Sequence, residues 1–280
     1  MPTLTASAFN LTVKVICQPI PKKHQGMIEC DSQQFYLAIP EVAHFLALPT
    51  QNQILIEKIN PDIPDDVIHT WLYGTVFAYI LQYHGYTVLH GSAILMDNRA
   101  VIFSGQSGAG KSTLASAFMQ KGYPFITDDL IVIKRNEQAQ YCIIPGPTKL
   151  KLWQDSMKHF NHDINKATPI SLKDGKYALQ VMNASTELMI PIAAFYELNN
   201  NKQTKVHHCE TLNSAESLKT LMQNAYRYFM LKPLGKLQTF FHDCHGLSQQ
   251  IAVHKLTRTI QIHELTQITQ RIELDQGVNV

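Results

Sequence analysis

SGQSGAGKST, the stretch from Ser104 to Thr113, governs how the rest of the chain is read. Within it, Gly105-x-x-x-x-Gly110-Lys111-Ser112 has the spacing of a phosphate-cradling loop. Such a loop needs a buried strand before it and a helix after it. Ala100-Val-Ile-Phe103 is a short apolar run of the first kind, and Leu114-Ala-Ser-Ala-Phe118 continues as a helix that Gly122 can end. Glycines at 105, 108 and 110 let the backbone bend until successive N–H groups and the first helical turn converge on one anion. The expected cradle is Gly105, Gln106, Ser107, Gly108, Ala109, Gly110, Lys111, Ser112 and Thr113. Lys111 would reach the β- and γ-phosphates of ATP, and the Ser112 hydroxyl would bind Mg²⁺.

Upstream, Tyr86 to Leu95 reads as a strand carrying His90-Gly91, and Asp97-Asn98 as the turn of a hairpin that returns through Ala100–Phe103. Strands joined so tightly run antiparallel, so the sheet around the loop is expected to be mixed rather than purely parallel. Downstream, Tyr123 to Ile133 is a strand with Asp128-Asp129 set among apolar residues. Adjacent buried carboxylates are costly unless a cation or hydrogen bonds compensate. A Mg²⁺ between ATP and protein would do so, leaving one acid for the metal shell and the other for the proton of an attacking hydroxyl. Lys149 and Lys151 alternate with Leu150 and Leu152. That pattern is either a cationic face able to neutralise phosphate or a pair of solvated lysines on an edge strand. Gln154 to Tyr177 is polar, as in a lid, a peptide-binding loop or plain surface, and Lys176 within it is a candidate second phosphate contact.

Away from the loop the patterns are structural. Residues 1–60 read as a small β-rich part, with Leu11, Val13, Val15 and Cys17 alternating with polar residues and further short runs at Phe35–Ile39 and Ile54–Ile56. Residues 61–280 read as the catalytic domain. It opens with a helix between Pro61 and Gly85 whose apolar stripe includes Val67, Ile68, Trp71, Leu72 and Val76. Beyond residue 190 the chain alternates again. Strands are expected at Ile192–Leu198, Thr204–His208, Ile251–Leu256 and Thr259–Ile262. A helix capped by Asn213 and Glu216 should run to just before Pro233, a second near Gly235–Leu247, and a short one through Ile272. His207-His208-Cys209 and His242-Asp-Cys244-His245 lack zinc-site spacing.

Bulk properties exclude some classes. The 280 residues carry a formal charge of +2, which gives no electrostatic footprint for nucleic acid. No apolar run approaches the length of a membrane span, and the start lacks the features of a signal peptide. Five scattered cysteines fit reduced thiols, so the expected location is cytoplasmic.

His90-Gly91, then Gly105–Ser112, then Asp128-Asp129, at these separations, resemble the catalytic domain of the HPr serine kinase family. The likeness is strongest to stand-alone relatives such as lasso-peptide precursor kinases, and its specific part covers Gly85 to Arg135. The resemblance implies an α/β fold with a mixed-sheet nucleotide-binding core of the HPr kinase and ATP-dependent phosphoenolpyruvate carboxykinase type. It implies an ATP- and Mg²⁺-dependent kinase acting on a serine of a peptide or protein, with self-association because the parent family forms rings. Carried onto this chain, the family roles make Lys111 and the loop amides the phosphate binders, Ser112 a Mg²⁺ ligand, Asp128 and Asp129 the base and a second metal contact, and His90 the group that orients the base; which acid does which stays open, with Asp128 favoured as base and Asp129 toward the metal. Where the parent family has a Glu-x-x-Arg-Gly signature, this chain reads Ile144-Pro-Gly-Pro-Thr-Lys149-Leu-Lys-Leu-Trp153, which argues against HPr itself as the acceptor. A small-metabolite kinase and a non-catalytic ATP sensor are the other readings.

Overall fold

Leu11, Val13 and Val15 are buried while Thr12 and Lys14 face outward, the period of two that lets one face of a sheet meet a core. In a computed structural model, which describes residues 3–6, 11–21, 24, 26–170, 175–200, 207–258 and 264–278, this segment belongs to a six-stranded sheet. The strands are β1 (Thr3–Ala6), β2 (Leu11–Cys17), β3 (Ile28–Cys30), β4 (Phe35–Ile39), β5 (Ala43–Leu48) and β6 (Gln53–Lys58), in the order β1-β2-β6-β5-β4-β3. Only β2 and β6 run parallel; the other neighbours are antiparallel.

Helices α1 (Asp65–Trp71) and α2 (Phe77–Tyr83) cover one face, joined through a π-helical turn over Leu72–Val76. The expected single helix is thus interrupted, and the break sits at Gly74, whose ψ of −105° lies outside the helical range. Val67, Ile68, Leu72, Val76 and Tyr79 share one core with Phe35 and Phe45. The helix therefore belongs with the first sheet, and residue 60 is not where the chain divides. The compact units are Met1–Val88 with Tyr226–Phe241, and Leu89–Ala225 with His242–Val280.

The second unit is built on β7 (Thr87–Met96), β8 (Arg99–Ser104), β9 (Phe125–Arg135), β10 (Tyr141–Ile144), β14 (Ile190–Asn200), β15 (His208–Thr211) and β16 (Ala252–Arg258). Their order is β10-β9-β7-β8-β14-β16-β15. The β7–β8 hairpin is antiparallel and turns through Asp97 (φ 47°) and Asn98 (φ 58°), the paired positive angles of a tight hairpin turn. Strand β8 then runs parallel to β14, and β14 parallel to β16, so the sheet is mixed. A three-stranded sheet lies apart from it: β11 (Lys149–Trp153), β12 (Thr168–Pro169) and β13 (Lys176–Gln180), in the order β11-β13-β12.

Among the helices, α3 (Lys111–Gln120) and α7 (Leu265–Asp275) bring Leu114, Phe118, Ile268 and Ile272 to one cluster with Phe103 and Tyr196 of the sheet. The others are α4 (Gln154–His159), α5 (Ser214–Gln223) and α6 (Leu237–Gln250). Helix α5 starts as expected: the Asn213 side chain accepts from the Glu216 amide at 3.0 Å, and the Glu216 carboxylate accepts from the Asn213 amide at 3.2 Å. It ends at Gln223, earlier than expected, because Asn224 is drawn into another network described below, and Tyr228–Met230 forms only a 3₁₀ turn. The strand expected at Thr259–Ile262 lies outside the described residues, as do residues 204–206 of the one expected before His208. No described helix is long and apolar enough to cross a membrane.

Candidate active site

Strand β8 is buried from Ala100 onward, and the chain turns sharply as it leaves the sheet. Gly105 has φ 129°, and a Cβ there would lie 2.5 Å from the Leu198 carbonyl oxygen. Gly110 has φ 87° and precedes α3; a Cβ on it would strike the Arg258 guanidinium. Both positions therefore need glycine for conformation and for space. No side chain caps the start of α3, so its first-turn amides are left for an anion. Lys111 is buried, and its ammonium donates to the carbonyls of Gly105 and Gln106 at 3.0 Å each. Burial pushes its pKa down, against the pull of Asp128 and Asp129.

The two acids enter from β9, next to β7 in the sheet. Adjacent residues of a regular strand point to opposite faces. Here both acids line one cleft, and Asp129 has φ 77°, a conformation that aspartate tolerates better than most residues. Asp128 accepts three hydrogen bonds: from the Ser92 hydroxyl at 2.5 Å, the Ser112 hydroxyl at 2.9 Å and the Lys151 amide at 2.9 Å. Asp129 instead meets the Lys151 ammonium at 2.8 Å and the His90 Nδ1 at 3.3 Å. Burial alone would raise the Asp129 carboxyl, but Lys151 and His90 outweigh it and hold the group well below the usual carboxylate range. The acid bound to the loop serine is therefore Asp128, and the acid held by His90 is Asp129. The sequence left open which acid would stand on which side, and the structure gives each a different set of partners.

The cleft between these groups has a volume of about 570 Å³. It is lined by Ser107, Gly108, Gly110, Lys111, Ser112 and Thr113 of the loop, and by His90 and both acids. Gly105, Gln106 and Ala109 frame the turn without lining the cleft, and Lys149 does not line it either. Of the two lysines on β11 it is Lys151 that lies there. Lys176 lines the cleft as well.

Three contributors left no signal in the sequence. Arg258, at the end of β16, is only 4% exposed and donates to the Ala109 carbonyl at 2.6 Å. Burial lowers its guanidinium to about 10, and its Nε has no hydrogen-bond partner among the described residues. Asn224 accepts at Oδ1 from the Ser104 hydroxyl (2.8 Å) and the Gly105 amide (3.1 Å), and donates from Nδ2 to Glu197 at 3.1 Å. Its carbonyl also accepts the His90 amide at 2.8 Å, so one side chain and its own backbone tie the loop entrance to the strand carrying His90. Ser92 is the third. A lone arginine, asparagine or serine carries no pattern, and each acquires its role only when distant strands meet.

No family profile matches this chain, and no curated protein does. Among solved structures, the HPr(Ser) kinase/phosphatase from Coxiella burnetii is similar at 14% identity, over 68% of this chain and 93% of that one, with a TM-score of 0.34.

Proposed function

We propose that the chain is a Mg²⁺-dependent phosphotransferase that moves the γ-phosphoryl group of ATP to a hydroxyl, with a serine of a peptide or protein as the acceptor. The observation that carries this reading is the 2.9 Å hydrogen bond from the loop hydroxyl of Ser112 to Asp128, with Asp129 beside it in the same cleft. The residues fit both ligands. Lys111 is a buried cation whose hydrogen-bond partners are neutral carbonyls, and the α3 amides beside it are uncapped, so a polyphosphate would satisfy both. Ser112 and Asp128 offer the hard oxygen ligands that Mg²⁺ prefers. These two side chains would hold Mg²⁺, which would supply neutralisation of charge on the phosphates.

The remaining work falls to the chain itself. Asp128 is bound to Ser112, the side on which the metal would be held, and is assigned to the metal rather than to the proton of an acceptor hydroxyl. Asp129 is the group for that task, with His90 and Lys151 fixing its direction. Its depressed pKa makes it a weak base, which suits a transfer in which the hydroxyl proton leaves late and positioning supplies most of the rate.

The test uses γ-labelled ATP with serine peptides in one arm and free serine in the other. Label should pass to peptide, and Lys111→Ala and Asp129→Asn should each abolish transfer while circular dichroism shows an intact fold. Label on free serine would assign a metabolite acceptor. ATP binding without any labelled acceptor would assign a sensor, and transfer undiminished in both variants would overturn the site.

A further inference from the structure

We infer that Trp153 is the platform on which the planar base of the nucleoside triphosphate stacks, with Lys176 as its companion cation; the inference rests on the phosphate-loop reading above. Strand β11 alternates, so Leu150 and Leu152 are 1% exposed while Trp153 is 46% exposed and lines the cleft. An indole ring left open beside a polar cleft forgoes much of its burial energy, which is a reason to look for what covers it. Among the described residues that line the cleft, only His90 and Trp153 carry rings, and His90 is bound to Asp129. Among those residues Trp153 is thus the aromatic surface open to a ligand.

Its position agrees with a base rather than an acceptor. Two residues earlier on the same face, Lys151 meets Asp129, where the acceptor hydroxyl would lie. Three residues later, the Ser156 hydroxyl of α4 sits 3.0 Å from the Thr113 hydroxyl. Thr113 is in the first turn of α3, one residue past Ser112. The segment that carries the ring therefore runs from the Asp129 side of the cleft to the first turn of the loop helix, and we place the base at that second end. Lys176, its cross-strand partner on β13, holds its ammonium 5.7 Å from the ring centroid. Lys176 makes no ion pair with a carboxylate among the described residues, whose lysine pairs are those of Lys58, Lys121 and Lys151, and it lines the same cleft as Lys111. A stacked base would exchange with this ammonium at the ring and leave it to the phosphates.

The chain has two tryptophans, so Trp71→Phe makes Trp153 the sole indole reporter. In that background ATP should change the fluorescence, while inorganic tripolyphosphate should bind, by calorimetry, without changing it. Trp153→Ala should weaken ATP about 5- to 150-fold, the span of base–aromatic stacking, and leave tripolyphosphate affinity unchanged; Trp153→Phe should keep most of the ATP affinity. Equal weakening of both ligands, or ATP binding that leaves the indole signal untouched, would overturn the proposal. A serine peptide that changes the signal without ATP would give the ring to the acceptor instead. Failure of ATP and tripolyphosphate alike to bind would bring down the phosphate-loop reading itself, and this inference with it.

Discussion

At the scale of single residues, the chemistry of the cleft turns on a backbone angle. The acid pair was legible as a pattern because two adjacent carboxylates among apolar residues demand compensation. Which of them meets Ser112 and which meets His90 was not, because it depends on the positive φ at Asp129, which brings neighbouring side chains to one side of a strand. The Lys149 and Lys151 alternation was also legible, but which of the two meets an acid depends on how β11 lies over β9. The depressed Asp129 pKa has a measurable consequence. A group whose folded pKa lies below its unfolded value stabilises the fold above the unfolded pKa, about 4 for aspartate, and loses that contribution as pH falls through the folded value. Asp129→Asn should therefore be less stable than the parent at neutral pH, and the gap in urea midpoints should narrow as pH drops below about 4. A gap that is independent of pH would mean that the pairing with Lys151 and His90 contributes nothing to stability.

At the scale of elements, local signals were reliable where they were redundant. The loop, its strand and its helix were each supported by glycine placement and apolar runs, and the Asn213 and Glu216 capping pair stood where the spacing put it. Helix α5 stops before its apolar period does, because Asn224 is held by groups more than a hundred residues upstream. That asparagine joins the loop entrance, Glu197 and the His90 strand in one buried set. Asn224→Ala would leave the buried Gly105 amide without its acceptor, while the Ser104 hydroxyl keeps the His90 carbonyl, at a cost of about 1–3 kcal/mol. Urea denaturation measures it, and a change below about 0.5 kcal/mol, the range of an ordinary surface substitution, would show the set to be idle.

At the scale of the whole molecule, composition and motif pointed to a mixed α/β chain around a phosphate loop, but not to its division. Nothing in the periodicity of residues 61–85 reveals that their helix packs on the first sheet, because an apolar stripe does not say which surface it will meet. Nor does it reveal that Tyr226–Phe241 returns to complete the first unit. Met230 and Leu234, buried in the same core as Phe35 and Tyr79, come from that returning segment. A fragment ending at residue 88 lacks both, so it should give a non-cooperative melt with dye-accessible apolar surface, whereas a sharp transition like the parent's would show that the segment is dispensable. During synthesis the ribosome must deliver well over a hundred residues beyond β6 before that sheet can close its interior, so a unit begun ahead of its neighbour waits for most of that neighbour to emerge.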